Sequence, residues 1–177
     1  MIYWIDEVGV QNTSSYIKGY APRGQTPTLP VASKYVRINM VSAITNQGKL
    51  RYHFYSGKMN QDVFKAFLIR LVKSTDKKVY AIADNLPVHH GLLLAEWLEK
   101  NNDKIKLFFL PSYAPHLNPV EYLNNNLKYE IERRGYSKNE SEIQLKATSV
   151  MRSLQSLKNR IIQFFEHNLV QYAKSSE

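Results

Sequence analysis

The spacing of hydrophobic and polar residues changes along the chain, and this change predicts the fold class. Residues 1–5, MIYWI, predict a strand, and the runs KYVRINMVSAI and KLRYHFYSG predict two more, joined by the turn TNQG. On the third of these strands Leu50, Tyr52 and Phe54 share one face. From Asn60, a residue type suited to the N-cap, the helical period takes over and one apolar stripe comprises Val63, Phe64, Phe67, Leu68, Leu71 and Val72.

Two later runs, KVYAIAD and IKLFFL, are apolar on both faces, as expected of central parallel strands covered by helices. The first precedes a helical pattern, GLLLAEWLEKNN, and the second precedes a predicted helix at about 119–134, whose aligned apolar residues are Val120, Leu123, Leu127 and Ile131. Hairpins followed by βα units predict an α/β fold with a mixed sheet and helices packed against it.

The last segment, from about residue 140 to 168, repeats apolar residues at steps of four and three: Ile143, Ala147, Val150, Leu154, Leu157, Ile161 and Phe164. This spacing predicts a long amphipathic helix or a helix pair. The stripe can pack on the domain's own sheet or form a coiled-coil seam, and the sequence leaves both open.

Composition narrows the class of protein. A chain of 177 residues suits one domain, and 24 Lys and Arg against 15 Asp and Glu give a net charge of +9. Such an excess favours a polyanionic partner, with nucleic acid as the first candidate and a merely basic protein as the alternative. The absence of cysteine excludes disulfides and cysteine-based zinc sites. No signal peptide is visible and no apolar run approaches the roughly 18 residues that span a bilayer, so we expect a cytoplasmic protein without a membrane partner.

Between the first two strands lies a polar connection of about 20 residues, GVQNTSSYIKGYAPRGQTPTLP, with a short strand predicted near Tyr16. A loop of that length in a compact domain is usually functional or mobile.

Three acidic residues occupy related positions in the predicted fold. Asp6 and Asp84 each follow an apolar strand, and Glu121 lies in the first turn of the helix after a third strand. In α/β sheets ligands bind outside the carboxyl ends of neighbouring strands, and three carboxylates meeting there require cations. Oxygen ligands suit Mg²⁺ or Mn²⁺, and two such ions about 3.5–4 Å apart can act in phosphoryl transfer.

Each acid also has a structural interpretation. Asp6 and Asp84 can be turn residues at strand ends. If Asn118 is the N-cap and Pro119 the first helical residue, Glu121 occupies the position of a capping-box glutamate. Spacing alone does not separate a capping glutamate from a metal ligand.

The sequence motifs around these three acids resemble those of a known family. WIDE, IADNLPVHH and LPSYAPHLNPVEYLNNNLK are similar to the three blocks of a DDE transposase, closest to the insertion sequence 630 family within the mariner-like superfamily. Thirty-six residues separate Asp84 from Glu121, which resembles the family's spacing, and GYAPRGQTP resembles a family loop. The resemblance runs from residue 1 to about 134. The family commonly has Trp where this chain has Tyr20 and Asn124.

The resemblance implies an RNase H-like (retroviral-integrase-like) fold, a mixed five-stranded sheet flanked by helices with an extra C-terminal long helix or helix pair. It implies a catalytic core at 1–135 and a helical extension at 136–177, packed on the core or used in dimerisation. Asp6 would bridge two Mg²⁺ or Mn²⁺ ions, Asp84 would hold one of them and Glu121 the other. The activity implied is hydrolysis of DNA at transposon ends and joining of the freed 3′-OH to target DNA, typically at TA.

Four neighbouring residues are expected to support the ligands without binding the ions: Glu7, Asn85, His89 and Asn118. Alternation along the strand directs Glu7 to the face opposite Asp6. Asn85 is expected to orient backbone or metal-bound water, and His89 to support the site or contact phosphate. A surface or packing role is the alternative for His89 and for His90, which the resemblance leaves unassigned.

Five basic residues are candidate phosphate contacts, with a solvated face as the alternative: Lys18, Arg23, Lys128, Arg133 and Arg134. We expect DNA as partner, a homodimer, and a prokaryotic host in which the protein is nucleoid-associated. No helix-turn-helix precedes the first catalytic strand, so a separately encoded or truncated DNA-binding part is expected. The two rival functions are a catalytically silent DNA-binding or dimerisation remnant and an RNase H-like structure-selective nuclease.

Overall fold

A computed structural model describes residues 1–12, 22–25 and 35–174. In this part of the chain five strands form one mixed sheet in the order β3-β2-β1-β4-β5. The strands are β1 (Ile2–Gln11), β2 (Arg37–Ile44), β3 (Leu50–Tyr55), β4 (Val79–Ala83) and β5 (Ile105–Phe109). The first three pair antiparallel, whereas β1, β4 and β5 run parallel. The predicted α/β, RNase H-like sheet is confirmed; the strand predicted near Tyr16 lies outside the described residues.

The helices follow the predicted patterns closely. They are α1 (Gln61–Lys73), α2 (Leu92–Lys100), α3 (Val120–Arg133), α4 (Glu140–Ser156) and α5 (Lys158–Gln163), with short 3₁₀ turns at Pro87–His90, Pro115–Leu117 and Asn168–Ala173. Asn60 caps α1 as predicted, because its Oδ1 accepts a hydrogen bond of 2.9 Å from the amide of Val63. None of the helices in the described ranges is both long and apolar enough to cross a lipid bilayer.

The sheet separates two hydrophobic clusters. On one face α1 and α2 cover β1, β4 and β5, with Phe64, Phe67, Leu71 and Leu94 buried. On the other face α3, α4 and α5 cover β1, β2 and β3. The prediction that β4 and β5 are covered on both faces is wrong: Tyr80 is 39% exposed and Phe108 41%. The helices of the second face lie over the antiparallel half of the sheet, so they leave these two aromatic rings partly in solvent.

The C-terminal segment forms the predicted helix pair. Apolar residues of α4, among them Ile143, Val150 and Leu154, are buried in the second cluster together with Ile161 of α5. Leu157 is not part of this stripe, contrary to the prediction, and is 52% exposed. Its backbone leaves the helical conformation (φ −102°, ψ 67°) and ends α4, which turns its side chain away from the core. The domain boundary at 135/136 and any use of 136–177 in dimerisation stay predictions.

The proline-rich loop between β5 and α3 sets where α3 begins. Tyr113 adopts a left-handed backbone (φ 57°) and is fully exposed, so the chain turns sharply there. Pro115–Leu117 forms a 3₁₀ turn, and Pro119 already has helical dihedrals (φ −62°, ψ −20°) before the first residue of α3, Val120. This loop therefore brings the N-terminus of α3 to the middle of β1, beside Ile5.

Candidate functional site

The candidate site begins at two adjacent acids of β1, whose side chains point to opposite faces of the sheet. Asp6 faces α3, where its Oδ2 accepts a hydrogen bond of 2.8 Å from Nδ2 of Asn124. Its Oδ1 accepts a hydrogen bond of 2.9 Å from the backbone amide of Glu7. Glu7 faces the other side, with Oε1 3.2 Å from Nε2 of His89. Strand alternation thus places the two neighbouring acids in different surroundings.

Asp84 directly follows β4, which lies parallel to β1. The prediction that the first strand ends before Asp6 is wrong, because β1 continues to Gln11. Asp84 follows Ile82 by two residues, as Asp6 follows its ladder partner Trp4, so the two acids lie at the same level of the sheet.

The carboxylate oxygen Oδ1 of Asp84 is buried and has no hydrogen-bond partner. The nearest cationic group is Nδ1 of His89, 3.3 Å away, but that nitrogen lies 2.9 Å from the backbone carbonyl of Asp84. A buried carboxylate oxygen without a donor is costly, and a bound cation would satisfy it.

Asn118 connects α3 to β1 next to these acids. Its Nδ2 donates to the carbonyl oxygen of Ile5 at 2.9 Å, and its Oδ1 accepts from the amide of Val120 at 3.1 Å. The backbone amide of Asn118 donates to the carbonyl of Pro115, so it is not the partner that a capping-box glutamate requires. Glu121 therefore does not act as a capping-box residue, and its partly buried side chain is left for another role.

The carboxylates of this site influence one another. Burial, and then the negative charges of Glu121, Glu7 and Asp84, raise the pKa of Asp6 well above its ordinary value. Burial and the charge of Glu7 also raise the pKa of Asp84, although His89 opposes this. The three predicted ligands are thus close enough to interact electrostatically.

His89 is buried on the face of the sheet that Glu7 faces, between Glu7 and Phe64. Its ring is 3% exposed and stacks on Phe64 with the centroids 4.0 Å apart. Burial lowers the pKa of His89, but the hydrogen bond and charge of Glu7, with further help from Asp84, outweigh burial and raise it. Both ring nitrogens face oxygen atoms, an arrangement that suits the protonated imidazolium.

In the described part of the chain, the set of three potential ligands whose atoms lie within 4.8 Å of one another is Glu7, Asp84 and His89. This set shares Asp84 with the predicted triad but not Asp6 or Glu121. Carboxylate oxygens predominate in both sets, which fits a hard divalent cation such as Mg²⁺ or Mn²⁺. The residues present therefore fit a divalent metal, and the assignment of Asp6, Asp84 and Glu121 as its ligands stays a prediction.

Most of the chain matches a known protein family. The family model of the DDE superfamily endonucleases matches residues 1–144. The chain belongs to this family. The resemblance to DDE transposases is thereby confirmed, while the narrower assignment to the insertion sequence 630 family stays a prediction. No curated protein sequence matches the chain.

Solved structures of a mariner transposase share the fold of this chain. The Mos1 transposase paired-end complex with left transposon end superposes with a TM-score of 0.68 at 17% identity, covering 98% of this chain and 55% of the other. The Mos1 mariner paired end complex with Mn gives a TM-score of 0.68 at 16% identity, covering 99% and 56%. The catalytic domain of Mos1 mariner transposase gives 0.61 at 14%, covering 99% and 84%. The present chain therefore spans about half the length of the transposase in the two complexes.

Asn85 and His90, two residues considered in the sequence analysis, lie in the loop after β4. Asn85 is exposed, donates from Nδ2 to Oγ of Ser112 at 3.2 Å, and contacts His90 through its Oδ1. The ring of His90 packs against Phe109 with the centroids 4.4 Å apart. These contacts hold the loops after β4 and β5 together.

Of the predicted phosphate contacts, Lys18 lies outside the described residues. Arg23 and Lys128 are exposed, and Lys128 lines a cleft with Arg37 beside β1. Lys128 follows Glu121 by two helical turns, so it lies on the same side of α3. Arg133 and Arg134 are also exposed but engaged: Arg133 pairs with Glu130 at 3.2 Å, and Arg134 donates to a carbonyl of α4 at 3.4 Å.

Sequence reasoning missed two buried polar residues on the α3 side of the site. Asn124 binds Asp6, and Ser42 lies opposite Asp6 in the β1–β2 ladder. A signal was available for both, since each is a polar residue inside an otherwise apolar pattern: Asn124 between Leu123 and Leu127, and Ser42 between Val41 and Ala43.

Proposed function

We propose that this chain is the metal-dependent catalytic domain of a DNA transposase. It hydrolyses a phosphodiester at a transposon end and joins the freed 3′-OH to target DNA, at a TA step. The observation that carries the proposal is the geometry of the acids: the partly buried carboxylate of Asp6 is held by Asn124 and by the amide of Glu7, and Oδ1 of Asp84 is buried without a hydrogen-bond partner. Burial, and then the charges of Glu121, Glu7 and Asp84, raise the pKa of Asp6 well above its ordinary value. Such a site is suited to bind divalent cations and then a phosphate.

Asp6, Asp84 and Glu121 would hold two Mg²⁺ or Mn²⁺ ions, with Asp6 contributing to both. When bound, such ions neutralise charge on the phosphate and lower the pKa of water. The contribution of the protein is to hold the carboxylates in position. Asn118 fixes the start of α3 to the backbone of Ile5, so Asp6 and Glu121 are oriented by one local hydrogen-bonded unit.

Glu7 and His89 would form the support on the other face. The imidazolium of His89 balances Glu7 and lies against Asp84, which limits repulsion at the strand ends and fixes the start of the loop after β4. Asn85 would orient backbone or water at the same loop. Phosphate groups of DNA would contact the basic residues of the surface, Lys18, Arg23, Lys128, Arg133 and Arg134.

The partners proposed are transposon-end and target DNA, a second copy of the chain, and a helix-turn-helix part that recognises the ends. DNA is supported by the family and by the transposon-end complexes whose fold the chain shares. The net charge of +9 supports it independently. A prokaryotic cytoplasm, with the protein at the nucleoid, completes the proposal.

A nicking assay on supercoiled plasmid with Mn²⁺ tests the catalytic assignment. The wild type is expected to give nicked product, and Asp84→Asn to give none above background. Asp103→Asn is the matched control, because Asp103 is an exposed acid in the turn before β5. Equal products from the wild type and Asp84→Asn would support the silent DNA-binding remnant instead. Cleavage of branched DNA without strand transfer would support the structure-selective nuclease.

A further inference from the structure

Polar side chains interrupt the apolar face of the sheet at one place beneath α3. Asp6 and Ser42 are direct partners in the β1–β2 ladder, so their side chains lie on the same face, and Asn124 reaches Asp6 from α3. Around them the face is built from buried apolar residues, including Val8, Met40 and Leu127. Asp6 and Asn124, which are hydrogen-bonded to each other in such surroundings, need a reason other than packing.

Asn124 is buried, with 1% exposure, and the direction of its amide follows from charge. Its Nδ2 donates to Oδ2 of Asp6 at 2.8 Å. The opposite amide orientation would place a carbonyl oxygen against a carboxylate oxygen, which is repulsive when Asp6 is ionised. The Asn124 side chain therefore favours one role, that of a donor to Asp6.

The same side chain carries a cost. Oδ1 of Asn124 is buried without a hydrogen-bond partner, as is Oγ of Ser42. A buried polar atom without a partner costs about 1–3 kcal/mol, which offsets much of what the hydrogen bond to Asp6 contributes to stability. The net gain in stability from Asn124 is therefore small.

We propose that Asn124 is a positioning residue that orients the carboxylate of Asp6 for divalent-cation binding. This inference rests on the proposed function, since it concerns the same metal site. With Oδ2 fixed by Asn124 and Oδ1 fixed by the backbone amide of Glu7, the carboxylate has one defined orientation. Each oxygen keeps lone-pair capacity for a cation. Partners of this kind typically change metal affinity by 10- to 100-fold when they are removed.

The test is calorimetric titration of the DNA-free chain with Mn²⁺, together with thermal unfolding in EDTA. We expect Asn124→Leu to bind Mn²⁺ about 10- to 100-fold more weakly than the wild type. Its midpoint in EDTA should stay close to that of the wild type, because the lost hydrogen bond to Asp6 is offset by the removal of a buried carbonyl without a partner. In the nicking assay the half-saturating Mn²⁺ concentration should rise by a similar factor, with the rate at saturating Mn²⁺ much less affected.

Two controls separate the amide from its surroundings. Asn125→Leu changes the next residue of α3, which is exposed, and Ser42→Ala removes a polar atom near Asp6 that has no hydrogen-bond partner. Both should bind Mn²⁺ within about twofold of the wild type. Asn124→Ala, which also lacks the donor, replaces Asn124→Leu if the larger side chain prevents folding.

The inference is overturned if the wild type binds Mn²⁺ and both Asn124 variants bind it within twofold. It is also overturned if Ser42→Ala weakens binding as much as they do, or if Asn124→Leu unfolds at a clearly lower temperature with unchanged affinity. Those results leave the proposed function intact. A wild type that binds no Mn²⁺ refutes the metal site itself, and the proposed function together with the role of Asn124.

Discussion

The adjacent carboxylates of Glu7 and Asp6 lie on opposite faces of β1 and have different surroundings. Glu7 faces the imidazole of His89 at 3.2 Å, and that ring is held by Phe64 and by the carbonyl of Asp84. Asp6, one residue earlier, has hydrogen-bond donors but no ion pair with any Lys, Arg or His of the described residues. One acid is neutralised by the protein, and the other is left with the charges of its neighbours.

This difference distinguishes an acid that the protein itself neutralises from an acid that has no counter-ion in the described residues. A buried acid with its own counter-ion contributes to the folded state, and removing either partner leaves a buried group uncompensated. A buried acid among like charges costs stability unless an external cation arrives. In an α/β sheet the second kind marks the ligand site more reliably than the presence of acids alone.

Substitution of Asp6 should have the largest effect on metal binding and activity. It is also the clearest test of the difference between Asp6 and Glu7. We expect Asp6→Asn to lose Mn²⁺ binding in calorimetry and to reduce nicking about a thousandfold, because several kcal/mol of electrostatic stabilisation depend on the ions. Its thermal midpoint in EDTA should not fall, since the amide removes a repelled charge. Asp103→Asn should leave both properties unchanged. A strong loss of stability in Asp6→Asn would contradict the comparison.

Substitution of Glu7 should act in the opposite sense, on stability first. Glu7→Gln removes the charge that faces His89 but keeps an acceptor, and we expect a loss of about 1–3 kcal/mol in the free energy of unfolding, measured with urea. The pKa of His89, followed by NMR, should fall. Glu99→Gln, at an exposed position of α2, is the control and should change neither. If Glu7→Gln leaves stability unchanged and abolishes Mn²⁺ binding, Glu7 belongs with the ligands instead.

The dependence of stability on pH should give the smallest of the three effects. The pKa values of Asp6, Asp84 and His89 are all raised in the folded protein, so the native state binds more protons than the unfolded chain. Their stabilising contributions are fully present below the unfolded values, about 4 for the acids and 6.5 for His89, and are lost as pH rises through the folded values.

The thermal midpoint in EDTA should therefore fall as pH rises from about 5 to 8, and each kcal/mol corresponds to roughly 2–4 °C for a chain of this size. Mg²⁺ should restore more of the midpoint at the upper end of this range than at the lower. KCl of matched ionic strength is the control. A midpoint that rises with pH in EDTA would show that the acids are compensated by the protein.

Much of the fold could be predicted from the sequence because its patterns are local. The Asn60 cap, the apolar stripe of α3 and the turn TNQG depend on neighbouring residues, and the structure reproduces them. The partial exposure of Tyr80 and the turn at Leu157 could not be predicted in this way. They depend on which part of the sheet the helices cover, a property of the assembled layers.

The candidate site also has a part that could be predicted from the sequence and a part that could not. Strand ends and the spacing of Asp6, Asp84 and Glu121 predict a common edge, because parallel strands bring their carboxyl ends together. The contact of Glu7 with His89 joins residues 82 positions apart, and that of Asn124 with Asp6 joins residues 118 apart. Neither contact could be predicted from periodicity, because each depends on how the helices pack against the sheet.

The double hydrogen bonding of Asn118 has a consequence for how this region can vary. One side chain bonds to the carbonyl before Asp6 and to the first amide of α3, so the gap between strand and helix is determined there. The loop upstream, from Pro111 to Leu117, brings the chain to this point, and Asn118 then fixes the gap. Insertions and deletions should therefore be tolerated ahead of Pro115 and excluded between Asn118 and Glu121.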